Sequence, residues 1–245
     1  MAYGDESQVN NLLIYAFAII GKNYLSNLEF RLAELKKFYR IPASTILHCK
    51  DIFSGDNRKK VGLAHLGEKD VFDLVKGVVA IINRIPIFIK YAYCDHEKCK
   101  NVYTFPSSDT NLDCELLITP TPQGLHGLLA QACFIDRSHG PLFEECEVTV
   151  SHNATKAKFI GKKRRQAHNW CSGFYDTGSA VKPFSPHIVK ADGSSMLQIA
   201  DVASYICSHA LSLNSKTDFS IAQLECIQFK TAAVLLPEHA NVIKK

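Results

Sequence analysis

The stretch Leu12-Leu13-Ile14-Tyr15-Ala16-Phe17-Ala18-Ile19-Ile20 constrains this chain more than any other. It is β-branched and aromatic, with Asn10-Asn11 before it and Gly21 after it, as a strand buried on both faces reads. It is far shorter than the roughly 20 apolar residues a membrane helix needs. Asp5 and Glu6 precede it where a signal peptide would be basic, so neither membrane nor export is expected and a cytoplasmic protein is. A strand of this kind needs cover on both faces, so the rest of the chain must supply helices.

Ala2 to Ser7 reads as a short first strand, folding back as a hairpin through the turn-rich break at Gln8 to Asn11. From Asn23 to Arg40, Leu25, Leu28, Leu32, Leu35 and Phe38 recur at helical steps until Pro42 ends the run. Ser44 to Phe53 then reads as a third strand carrying His48. A second helix follows over about Glu68 to Asn83, with Val71, Leu74, Val75, Val78, Val79 and Ile82 on one face. Ile87 to Tyr93 is a fourth strand, Thr121 to Phe134 a helix, Glu147 to Ser151 a fifth strand, and Ser194 to Leu211 an amphipathic helix. The order β-β-(α)-β-α-β-α-β-α predicts an α/β fold: a mixed five-stranded sheet with helices on both faces. One domain spanning all 245 residues, with an irregular C-terminal extension, is the economical organisation.

Nine cysteines are scattered and mostly lie beside apolar neighbours, as in Ala132-Cys133-Phe134, which reads as reduced, buried thiols. Cys94, His96 and Cys99 invite a zinc reading, but Cys114 is the only further cysteine near them. No G-x-x-x-x-G-K-[ST], G-x-G-x-x-G or G-x-S-x-G pattern occurs, which argues against P-loop, Rossmann and α/β-hydrolase chemistry.

Two places carry chemistry. In Asp5-Glu6-Ser7, adjacent acids on a strand point to opposite faces, so only one of the first two can serve a given site. A carboxylate near the end of a central first strand lies over the crevice where open sheets bind ligands. In the last helix Ser194, Gln198, Asp201 and Tyr205 form one polar stripe, with Ser194 or Ser195 as N-cap. No Lys, Arg or Glu occurs between Ser194 and Leu211, so this stripe does not read as an ordinary solvent face and Asp201 is expected in a site.

Tyr3-Gly4-Asp5-Glu6-Ser7, His48, and Ser194 followed by Leu197-Gln198-Ile199-Ala200-Asp201 resemble the family known as domain of unknown function 3800, which is grouped with ribonuclease H-like folds. The resemblance implies a ribonuclease H-like sheet and an acidic metal site from Asp5, Asp201 and Glu6, used for phosphodiester cleavage or transfer. Two or three carboxylates suit Mg²⁺ or Mn²⁺. Asp95 is the best-placed third acid, with Asp73 and Asp136 as further options. Ser194 and Gln198 would orient ligands or waters. His48 would carry a proton or, in the plainer reading, be a hydrogen-bonded core histidine.

A nucleic-acid partner is one reading of the chain's charge, the plainer one being solvated surface. Formal net charge is +4, and Lys156, Lys158, Lys162, Lys163, Arg164 and Arg165 fall close together, followed by His168 and Trp170. Such cations match a phosphate backbone, and Trp170 could stack on a base. The competing reading is a non-catalytic nucleic-acid- or protein-binding module in which Asp5 and Asp201 are structural acceptors.

Overall fold

The computed structural model describes residues 1–99, 103–106, 115–118, 122–135, 147–152, 187–190, 194–213 and 217–234. β1 (Ala2–Val9) and β2 (Leu12–Ile19) form the expected hairpin, in register from Ala2 opposite Ile19 to Val9 opposite Leu12. Its turn places Asn10 at φ 52°, a left-handed conformation that asparagine accepts more readily than most residues. β1 is longer than expected, so Asp5 sits within the strand rather than at its end.

α1 (Leu25–Phe38) follows a single 3₁₀ turn, and buries Leu28, Leu32 and Lys36. Phe38, assigned to the apolar face by its spacing, is instead 78% exposed. The next correction is larger. Ser44 to Phe53 is not a strand: it contains α2 (Cys49–Ile52), with His48 in extended conformation as its N-cap. Its apolar residues do face the core, Leu47 and Ile52 being buried. The N–H groups of Leu47 and Cys49 are taken by helix side chains rather than by a neighbouring strand.

α3 (Gly55–Lys60) and α4 (Glu68–Arg84) come next, and α4 buries the six residues its periodicity assigned inward. β3 (Phe88–Asp95) is therefore the third strand of the main sheet, antiparallel to β2. β4 (Tyr103–Pro106) and β5 (Glu115–Ile118) form a separate two-stranded sheet. Then come α5 (Pro122–Ile135), β6 (Val148–His152), β7 (His187–Lys190), α6 (Ser195–Leu211), α7 (Asp218–Cys226) and β8 (Lys230–Val234).

The main sheet is mixed and has six strands rather than five, in the order β7-β6-β1-β2-β3-β8. The β1-β2-β3 meander is antiparallel. β6 joins β1 and β7 joins β6 in parallel, while β8 joins β3 in parallel at the other edge. β7 and β8 were not anticipated; β8 and α7 lie in the stretch expected to be irregular. Strand β2 is covered on both faces, which is why its whole run is apolar. One face carries α6 with α1 and α4 around it, and the other carries α5. Among the described residues, no helix is long and apolar enough to cross a membrane.

Candidate functional site

β1 delivers two neighbouring residues to opposite sides of the sheet. A side chain at Gly4 would enter the α5 face, where an added Cβ would come within 2.5 Å of the Phe17 ring and 2.7 Å of the Tyr15 ring. Asp5, next along, faces α6 and is buried. The parallel ladder between β1 and β6 runs from Ala2 to Gly4, so Asp5 is the first residue of β1 beyond it.

Above Asp5 lies α6, which is enclosed nearly all round: Met196 to Ser204 are all buried, and so are Ile206, Cys207, Ser208 and Ala210. That enclosure accounts for the lack of Lys, Arg and Glu in its sequence. Fully buried Ala200 and Ala203 let the helix approach closely. Ser194 is the N-cap, its hydroxyl accepting the Leu197 N–H at 3.3 Å. Ser194 therefore holds the helix end.

The stripe on α6 clasps the segment before α2. Gln198 Oε1 accepts the Leu47 N–H at 3.0 Å, and its Nε2 donates to the Ser194 carbonyl at 3.3 Å. Asp201 Oδ2 accepts the Cys49 N–H at 2.7 Å. Between these two anchors sits His48, whose Nε2 lies 3.5 Å from Asp201 Oδ1. The Asp201 carboxyl also shares side-chain hydrogen bonds with the Cys49 thiol and with Asp5. His48 Nδ1 is buried without a hydrogen-bond partner; Asp51 Oδ2, at 3.8 Å, is beyond hydrogen-bond reach. Asp5, Asp201, Gln198 and His48, with Ile46, Leu47 and Leu197, line a small cleft of about 10 Å³, room for about one water.

The electrostatics follow from burial. Loss of water pushes the Asp201 carboxyl up, and His48, the two Cys49 donors and Asp5 pull it back only in part. Burial, and then the adjacent Asp201 charge, push the Cys49 thiol up as well, so it remains a protonated donor. Asp5 and Asp201 thus bring two carboxyl groups to one place on the α6 face of the sheet.

The other expected site residues lie elsewhere. Glu6 follows Asp5 on β1 and so falls on the opposite side of the sheet, away from Asp201. Asp95 is not a third ligand. Tyr91 is level with Asp5 across β2, and Asp95 is four residues further, roughly 13 Å along the strand. Its Oδ1 accepts the Glu97 N–H at 3.0 Å and its Oδ2 lies 3.7 Å from Lys98 Nζ, so it caps the turn leaving β3. Asp73 is on α4 and bonds Lys76 at 2.8 Å. Asp136, Cys114, Lys156, Lys158, Lys162, Lys163, Arg164, Arg165, His168 and Trp170 lie outside the described residues. Cys94 and Cys99 are buried and share a side-chain hydrogen bond, which first raises the Cys94 thiol, with burial second. The His96 N–H donates to the Asn11 carbonyl at 2.7 Å.

Among the described residues no group of three or more His, Cys, Asp and Glu is arranged to hold a metal ion. What the geometry does assemble is a pair of carboxyls with an imidazole beside it. Two carboxylates completed by water are a donor set that Mg²⁺ accepts. Cys49, with two donors to Asp201, had no signal in the sequence, because its role arises from α6 packing against a segment 152 residues earlier.

Comparison of the chain with family models, with curated proteins and with solved structures finds no match.

Proposed function

We propose that this chain is a divalent-metal-dependent phosphodiester hydrolase, a nuclease or related phosphoryl-transfer enzyme, built on a ribonuclease H-like sheet. The observation that carries the reading is the meeting of Asp5 and Asp201, from a central strand and a buried helix, with His48 Nε2 at 3.5 Å. An antiparallel β1-β2-β3 meander, with parallel strands added on the far side of β1, supports the kinship. The motif resemblance to family 3800 supports it too.

In this reading Asp5 and Asp201 would hold Mg²⁺ or Mn²⁺. The bound ion would supply charge neutralisation and acidify water. Gln198 and the Asp201–Cys49 bond fix the backbone on either side of His48, whose Nε2, beside Asp201, would pass a proton to or from the reacting group. Glu6 and Asp95 take no part.

A second reading, a non-catalytic nucleic-acid- or protein-binding module, is favoured by one specific feature. Gln198 and Asp201 each bond a backbone N–H, as purely structural acceptors would. Titrating Mn²⁺ by calorimetry into wild type, Asp5→Asn/Asp201→Asn and Glu6→Gln separates the two. Saturable binding lost in the double variant and kept in Glu6→Gln, with hydrolysis of a labelled oligonucleotide falling at least about 100-fold in Asp201→Asn, is the expected result. Undiminished turnover in Asp201→Asn would end the enzymatic reading.

A further inference from the structure

The segment that follows His48 carries Lys50, Lys59 and Lys60 beside Asp51 and Asp56, cations separate from the basic segment around Lys162. Immediately after His48 the chain makes the short α2–α3 hairpin, whose side chains are held by local bonds. Asn57 Nδ2 donates to the Lys50 carbonyl at 3.3 Å, Arg58 donates to the Ile52 carbonyl at 2.7 Å, and the Ser54 hydroxyl accepts the Asn57 N–H at 3.3 Å. The Cys49 N–H bond to Asp201 ties this hairpin to α6. The backbone bearing Lys50, Lys59 and Lys60 is thus fixed relative to the carboxyl pair.

All three lysines are exposed. Among the described residues Lys50 and Lys60 enter no ion pair, and Lys59 makes only a 3.6 Å contact with Asp56 in which both side chains are largely in water. Contacts of that kind contribute little and yield easily to another anion. Arg58, by contrast, is committed to the fold.

We propose that Lys50, Lys59 and Lys60 form a rim that binds the phosphate backbone of a nucleic-acid strand and leads it to the Asp5–Asp201 cleft. The choice of nucleic acid rests on the function proposed above and on the chemistry of the rim. Protein interfaces are anchored by buried aromatic and apolar side chains, whereas nucleic-acid interfaces are polar and positive. Between Cys49 and Lys60 no large apolar side chain is exposed: Ile52 is buried, and Phe53 is half-buried and stacked on Tyr205 with ring centroids 4.4 Å apart. The rim offers cations on a fixed backbone, and its apolar neighbours Val61 and Phe72 are only a little over one-third exposed.

The test is the binding of a labelled single-stranded oligonucleotide, followed by fluorescence anisotropy in EDTA over a series of salt concentrations. Wild type is compared with Lys50→Gln/Lys59→Gln/Lys60→Gln and with a control of equal charge change, Lys22→Gln/Lys37→Gln/Lys69→Gln. The rim variant should bind on the order of tenfold more weakly at low salt, with a salt slope shallower by about two units, while the control stays near wild type. All the substituted side chains are exposed, and circular dichroism checks that each variant is folded. Equal losses in rim variant and control, an unchanged slope in the rim variant, or no binding by wild type would each overturn the proposal; the last would point to an acidic protein instead. Because EDTA removes any metal requirement, absence of Mn²⁺ binding by the carboxyl pair would leave this result standing, and the two readings fail separately.

Discussion

On the α6 side of the sheet Asp5, Gln198 and Asp201 are buried at one place, and the main-chain N–H groups of Leu47 and Cys49 come to meet two of them. On the α5 side, Leu13, Tyr15, Phe17 and Ile19 of β2 pack against Leu125, Leu129 and Cys133. The Cys133 thiol is there a weak donor to the carbonyls of Tyr15 and Lys90, at 3.8 Å each. Both faces are built from the same strands. Gly4 and Asp5 are adjacent, yet the first position is shaped by ring packing and the second faces the polar stripe of α6. The contrast shows what burial of a carboxyl requires. Apolar volume alone fills one face, but the other needs a segment whose backbone donors are aimed at the helix.

The contrast can be broken most directly on the apolar side. Phe17 is fully buried, and Phe17→Ala should cost about 3–5 kcal/mol in chemical denaturation, the largest effect expected of these substitutions. Gln198→Leu retains the bulk but leaves the Leu47 N–H without its acceptor, so a loss of about 1–3 kcal/mol is expected. A Gln198→Leu loss matching that of Phe17→Ala would mean that the polar clasp organises the fold as strongly as the core does.

The smallest effect is the sharpest in sign. An Asp201 carboxyl raised by burial keeps its proton in the folded state to higher pH than in the unfolded chain, where it ionises near 3.8. Between those two values the unfolded state binds fewer protons, so wild type loses stability as pH rises through that window. Asparagine at 201 does not titrate and still presents an oxygen to the Cys49 N–H. The melting temperature of Asp201→Asn minus that of wild type should therefore become more positive from pH 4 to neutrality. A difference that shrinks would show that the donors around Asp201 outweigh its loss of water.

Much of this architecture is legible from local pattern. The hairpin through Asn10-Asn11, the helices of α1, α4, α5 and α6, and strands β3 and β6 follow from periodicity and from turn or breaker residues, because those signals act within a few residues of the chain. The absence of charged residues of long reach in α6 also pointed to an enclosed helix, and Asp201 is buried on it. Tertiary structure alone decided the rest. The run from Ser44 to Phe53 has a strand's composition, but its backbone donors are claimed by Gln198 and Asp201, which lie some 150 positions later in the sequence. Asp95 shares Asp5's residue type and a neighbouring strand, yet register sets it further along the sheet. β7 and β8, of 4 and 5 residues, are too short to show a period and exist as strands because β6 and β3 offer them an edge. A local pattern specifies which groups a segment will bury. Which partner satisfies their hydrogen bonds is settled only when distant segments are brought into contact, since an N–H or a carboxyl accepts any well-placed partner.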